Sequence, residues 1–165
     1  MGVQQILLIV LSVIIVGAAV AVGIDMFNRQ DYASNRSSAA ADVQIFMTQV
    51  LQYYKMPESL GGMGNDLTGV DADDIAKYIG WGDEHPMEND NATYYIQIPQ
   101  GDEEVVYVKA ICRAVMNGKR ATVHGKITFP EGKIETRVGE IDATEIVGEI
   151  GPENYNFDNF AENNG

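Results

Sequence analysis

Residues 6–24 read ILLIVLSVIIVGAAVAVGI, and no charged side chain precedes Asp25. A run of about 20 such residues is long enough to cross the hydrocarbon core of a bilayer as a helix. Beyond Asp25 the apolar residues become periodic. Ala39, Val43, Phe46, Val50, Tyr53 and Tyr54 recur at three- and four-residue steps, Met47 and Leu51 widen the stripe, and Asn35, Asp42, Gln44, Gln49 and Gln52 hold the other face. Pro57 disfavours helix at the residue before it, so the spacing predicts one helix over 3–55, a rod of about 80 Å. An apolar tip on such a rod has to be hidden in lipid or in copies of itself.

The tip does not read as a cleaved secretory signal, because no Lys or Arg precedes Arg29 and the apolar run exceeds the usual h-region. Met1-Gly2 opens like a myristoylation motif, but Ile6 stands where Ser or Thr is needed. At most loss of Met1 is expected. Gly17 and Gly23 bracket Ala18, Ala19 and Ala21, a band of small residues that lets helices cross closely in apolar surroundings.

After the rod comes a turn-rich loop over 58–69, then a short helix capped by Asp71, holding Ile75, Ala76 and Ile79 and stopped by Gly80. Residues 83–91 form a second polar loop. From Ala92 the period becomes two, and strands are expected over 92–98, 105–114, 120–129 and 134–141, with Asn117-Gly118 as a hairpin turn between the second and third. Val106, Val108, Ala110 and Cys112 share one face of the second strand. Ala121, Val123, Gly125, Ile127 and Phe129 share one face of the third, opposite Arg120, Thr122, His124, Lys126 and Thr128. The fold class is therefore α+β: a long N-terminal helix with an apolar tip, its amphipathic half packed on a four-stranded antiparallel sheet that is polar outside. Four segments follow: 1–29 apolar helix, 30–56 amphipathic continuation, 57–141 globular α+β domain, 142–165 acidic Asn-rich tail.

Net charge is −13, from 24 acids and 11 bases. Three of each lie between Asp25 and Met56, so the excess falls after Pro57, as 24 − 3 = 21 acids against 11 − 3 = 8 bases. That excess argues against binding a phosphate backbone, which relies on clustered Lys and Arg. A single cysteine, Cys112, allows no internal disulfide and reads as a small buried hydrophobe. His85 and His124 have no partner spacing for zinc or a catalytic triad and read as solvated. Asp83, Glu84, Glu88 and Asp90 lack the register of a calcium loop and read as solvated charge. Gly61-Gly62-Met63-Gly64 follows a helix and lacks Lys, so it is no phosphate cradle. Asn91-Ala92-Thr93 is the better of two glycosylation sequons, the other being Asn35-Arg36-Ser37. Aromatic residues along the rod (Phe27, Tyr32, Phe46, Tyr53, Tyr54) read as packing. Catalytic, cofactor-binding and metal sites are all expected to be absent, as are nucleic-acid and small-molecule partners. In the tail, Tyr155, Phe157 and Phe160 are too apolar to be left free among acids and Asn, so an extended strap filling grooves on an adjacent subunit is expected.

An uncharged apolar start just after Gly2, continuous with an amphipathic helix and followed by an antiparallel meander, resembles a type IV pilin. The resemblance covers the architecture of residues 1–141. It implies a membrane-inserted precursor whose apolar halves bundle as the core of an extracellular cell-surface filament, with the globular domains outside and copies of the chain as partner. On that reading the core comprises Gln4, Gln5, Ile6, Leu7, Leu8, Leu11, Ile14, Ile15, Gly17, Ala18, Ala21 and Gly23. Two features depart from the family. Only Met1 precedes Gly2, where the family's processing site has basic residues. The family's glutamate at the fifth mature position is also missing: that place falls to Leu7 after cleavage behind Gly2, to Ile6 after loss of Met1, and to Gln5 in the intact chain. Gln4 and Gln5 are then expected to supply hydrogen bonds between neighbouring tips. The alternative is a single-pass, membrane-anchored acidic envelope domain that binds a partner protein or cations.

Overall fold

Gly2–Lys55 is one unbroken α-helix, α1, in the computed structural model, which describes residues 2–82, 86–99 and 104–144. Its end falls where Pro57 requires. The next loop folds back to satisfy the helix's last carbonyls: Met63 N–H donates to Tyr53 O (3.1 Å), Asn65 N–H to Tyr54 O (2.9 Å) and Gly64 N–H to Met56 O (2.9 Å). The loop holds a 3-10 turn, Glu58–Leu60, and buries Met63 and Leu67. Helix α2, Ala72–Tyr78, starts at Asp71, whose carboxylate accepts from Ala72 N–H while Asp74 reaches back to the Asp71 amide. It buries Ile75 and Ala76.

The sheet has five strands, not the four expected. They are β1 (Met87–Glu88), β2 (Ala92–Gln97), β3 (Val105–Met116), β4 (Lys119–Thr128) and β5 (Lys133–Asp142), antiparallel neighbours in chain order. The additional strand lies inside the second polar loop. Asn89 makes it: its Oδ1 accepts from the amides of Asn91 (2.8 Å) and Ala92 (2.9 Å), closing a turn that sets Met87 opposite Tyr94 and Glu88 opposite Thr93. Asn117 and Gly118, both at positive φ, turn β3 into β4 as expected. Between Ile111 and Val115 strand β3 advances four residues while β4 advances two. The excess is even, so alternation survives the bulge, and Ala114 and Met116 still pack against the core. Helix α1 attends to the bulge, since Asn35 Oδ1 accepts from the Ala114 amide at 3.3 Å.

Helix α1 lies on the face formed by Val106, Val108, Ala110, Cys112, Ala121, Val123 and Ile127. Its buried residues, Tyr32, Ala39, Val43, Met47, Val50 and Tyr54, follow three- and four-residue steps. Met47 is central in this contact, not a margin of it. A Cβ on Gly125 would stand 2.8 Å from Met47 Cε and 3.0 Å from Val43 Cγ1, so a glycine in β4 makes the hollow that Met47 fills. Phe46 sits beside this contact, edge-on to Trp81 and Tyr94, each with ring centroids 5.1 Å away.

The opposite sheet face differs from its expected polar, solvated character. Thr122 and His124 point away from α1, yet both are buried. The His124 reading as a solvated residue is therefore corrected. Burial, reinforced by the Lys109 charge, pushes its pKa down to about 3 and keeps it neutral.

Candidate assembly surface

The two halves of α1 meet at Tyr32, its first buried residue. From Gly2 to Asp31 every side chain is exposed, Val3 by 79 % and Leu11, among the least exposed of the large apolar residues there, by 50 %. This half contains an 18-residue window of mean hydropathy 3.0. One helix therefore carries a wholly exposed apolar rod and a core-forming segment.

Polar groups on the apolar stretch are few. Ser12 Oγ donates to the Ile9 carbonyl at 2.7 Å, which removes its need for water. Asp25 and Arg29 pair one turn apart at 2.9 Å and mark the point where the helix becomes polar. Gln4 and Gln5 lie exposed near the tip, on the same rod as Ile6, Leu7, Leu8, Leu11, Ile14 and Ile15. A Cβ at Gly17 or Gly23 would meet nothing within 4 Å, so no contact within the chain requires a glycine there. Ala18 and Ala21 lie exposed between them. All residues assigned to the filament core by the sequence thus share one exposed rod.

The junction between rod and domain is polar and fixed. Tyr32 Oη donates to Glu140 Oε1 on β5 at 3.0 Å, and burial, followed by this carboxylate, pushes the phenol up to about 12. A cleft of about 560 Å³ opens beside it, between α1 and the ends of β3 and β5, lined by Arg29, Arg36, Met116, Val138 and Glu140 among others. Further along α1, Asp42 Oδ2 accepts from Tyr94 Oη at 2.5 Å and from Asn89 Nδ2 at 3.2 Å. Burial and that carboxylate raise the Tyr94 pKa. The ring of Tyr94 is in the core, so this hydrogen bond joins the helix to both β2 and the turn that creates β1. Sequence reasoning placed Asp42 on the polar face and did not see this role. The only signal was an Asn-Asp-Asn turn ahead of a strand.

No protein-family model, curated protein or solved structure matches this chain.

The remaining candidate residues are dispersed. Asn91 is half-buried in the β1–β2 turn, its carbonyl accepting from the Arg113 amide at 2.9 Å, and Thr93 of the same sequon is buried in β2. Glu88 pairs with Arg113 at 3.0 Å, whereas Asp83, Glu84 and His85 lie outside the described residues. Cys112 is buried and its thiol is pushed up to about 11, which leaves it protonated and inert. Among the described residues no three His, Cys, Asp or Glu side chains converge as a metal set. Of the rod aromatics, Tyr53 stacks on Tyr78 and Tyr54 packs on Phe129, while Phe27 is exposed. The tail residues Tyr155, Phe157 and Phe160 lie outside the described residues.

Proposed function

We propose that this chain is the structural subunit of an extracellular pilus-like filament, held in the cytoplasmic membrane before assembly, with residues 2–24 bundled in the filament core and the acidic domains outside. The observation that carries this reading is the continuity of α1: a fully exposed apolar half runs, with no break, into a half packed along one face on the domain. A simple anchor needs only the apolar segment and a tether. A rod rigidly joined to its domain suits a subunit that must fix its outer surface relative to a shared core. Removing the rod's apolar surface from water is favourable by ~25 cal/mol per Å². In lipid that surface is already satisfied, so bundling has to draw on close packing, and the open band of Gly17, Ala18, Ala21 and Gly23 supplies a surface for close crossing. The pilin-like resemblance agrees with this reading, and no catalytic role is assigned to the chain.

The test is electron microscopy of sheared cell-surface material with mass spectrometry of any filaments. Filaments built from this chain, with an intact mass showing at most loss of Met1, support the proposal. Recovery of the chain only in the membrane fraction would instead favour the anchored envelope domain. A chain starting at Val3 would overturn the expected lack of processing.

A further inference from the structure

The cleft beside Tyr32 opens where the apolar stretch of α1 gives way to the domain. Arg29, Ala33, Arg36 and Ala40 follow three- and four-residue steps, so one stripe of the helix forms a wall of it, and Met116, Val138 and Glu140 on β3 and β5 stand opposite. The two alanines leave room between the arginines. At about 560 Å³ the cleft has the size of a small-ligand site.

Its charges are paired except at one group. Arg29 is matched by Asp25 at 2.9 Å. Glu140 accepts from Tyr32 through Oε1 and faces Lys119 Nζ at 3.9 Å through Oε2. Asp31 and Asp142 do not line the cleft. Arg36 is exposed and, among the described residues, makes no hydrogen bond or ion pair. Beside it Ser37 offers an exposed hydroxyl. A cleft with one positive charge to spare is an exception on a chain of net charge −13, and it selects for an anion.

The helical rise fixes its depth. Residues 6–24 span about 28 Å, close to the roughly 30 Å hydrocarbon layer, and headgroups add about 5–7 Å on each side. Arg29 lies about 7 Å beyond Ile24 along the axis, and Arg36 about 18 Å. Helical side chains lean towards the N-terminus, so an arginine at position 36 leans back towards the membrane. Met26 and Phe27, both exposed, extend the apolar surface past Ile24 and draw the cleft nearer to the headgroups. A free ion gains little from one exposed guanidinium in water. A lipid is held at this surface by its own chains, so its phosphate meets the arginine at high local concentration.

We propose that this cleft holds the headgroup of an anionic phospholipid, its phosphate against Arg36 and Ser37 and its glycerol end along Ala33, Met116 and Val138. The inference rests on the membrane-inserted stage of the function proposed above and not on filament formation.

The test is native mass spectrometry of the full chain from detergent micelles holding equal amounts of phosphatidylglycerol and phosphatidylcholine. The singly lipidated species should carry phosphatidylglycerol roughly tenfold more often than phosphatidylcholine. Arg36→Gln should bring that ratio close to one, and Ala33→Glu, which sets a carboxylate between the two arginines, should do the same. Lys55→Gln removes a charge about 28 Å further along the helix and should leave the ratio unchanged. Equal binding of the two lipids by the unaltered chain, or an equal loss in Lys55→Gln, would overturn the proposal. Displacement of the bound lipid by excess inorganic phosphate would assign the cleft to a free ion and overturn it too. Alkaline extraction of the chain from phosphatidylglycerol vesicles separates the two readings. A chain released by it does not span the bilayer, and the membrane stage itself fails, whereas a retained chain without lipid preference sinks the headgroup site alone.

Discussion

Residues 2–31 and 32–55 share one helix, one set of backbone hydrogen bonds and one axis, yet they are stabilised by different means. In the second half, buried residues recur at three- and four-residue steps against β3, β4 and β5, so tertiary contacts hold the helix. In the first half every side chain is exposed, and no contact with the domain supports it. That half is rich in Val and Ile, which have only moderate helix propensity, and includes two glycines. On the proposed function, its helix is maintained by a surrounding in which backbone groups have no other partner, lipid before assembly and a bundle of its own kind after it. The comparison teaches that helix continuity is no sign of uniform support.

The sharpest way to break this contrast is a charge in the exposed half. Val13→Asp or Ala19→Lys leaves an unpaired ion in an apolar medium at a cost of several kcal/mol per subunit. Complete loss of filaments by electron microscopy is the expected result, while the full-length variants keep the unaltered chain's circular dichroism in detergent micelles. Ordinary filaments from either variant would remove the grounds for placing the first half in a core.

In the packed half the largest effect should come from Met47→Ala, at ~2–5 kcal/mol in chemical denaturation of residues 30–165. Gly125→Ala should cost ~1–3 kcal/mol by overpacking the same hollow. The double variant should then be less unstable than the sum, because each change makes room for the other. Strict additivity would mean that Met47 and Gly125 do not share this contact. Phe46→Ala, at the side of the interface, should cost less than Met47→Ala.

Smaller still is the polar tie between helix and sheet. Tyr94→Phe leaves the Asp42 carboxylate with Asn89 alone and should lower stability by ~1–2 kcal/mol at neutral pH. A change within error would show that water replaces the phenol without loss.

The mildest test is a pH profile. His124 is held neutral by burial and by Lys109, with Arg137 opposite it on β5. Its folded pKa, about 3, lies below the unfolded value near 6.5. Its contribution is therefore fully present above pH 6.5 and is lost progressively as pH falls towards 3. His124→Gln should flatten the decline of stability across that window while leaving neutral-pH stability nearly unchanged. An identical slope in both proteins would show that His124 is not the group responsible.

The sequence was most readable where one strong local signal acted alone. Pro57 ended the helix at Lys55, the Asn117-Gly118 pair turned β3 into β4, and Asp71 began α2. The two-residue strand β1 was not legible, because two residues cannot express a period and the strand depends on Asn89 closing its turn. Strand alternation correctly sent Thr122 and His124 to the outer face, but it cannot tell a solvated face from a covered one. Met47 was undervalued for a related reason. Its importance comes from the missing side chain of Gly125, and an absence on one strand says nothing about which helix residue will occupy it. Of the candidate surface, the composition was legible in full, whereas its rigid attachment through Tyr32 and Glu140 required the fold.

The seat of Met47 over Gly125 has a mechanical meaning. The packed stretch from Tyr32 to Tyr54 runs about 33 Å along the helix axis. Tension applied to the apolar end reaches the sheet as shear over that whole length, not as peeling from one edge. Sliding the helix lengthwise would drag the Met47 side chain out of its recess and onto neighbouring strand residues that carry side chains of their own. The methionine therefore works as a key in a slot, and a domain hung on this rod resists axial load before any strand has to separate.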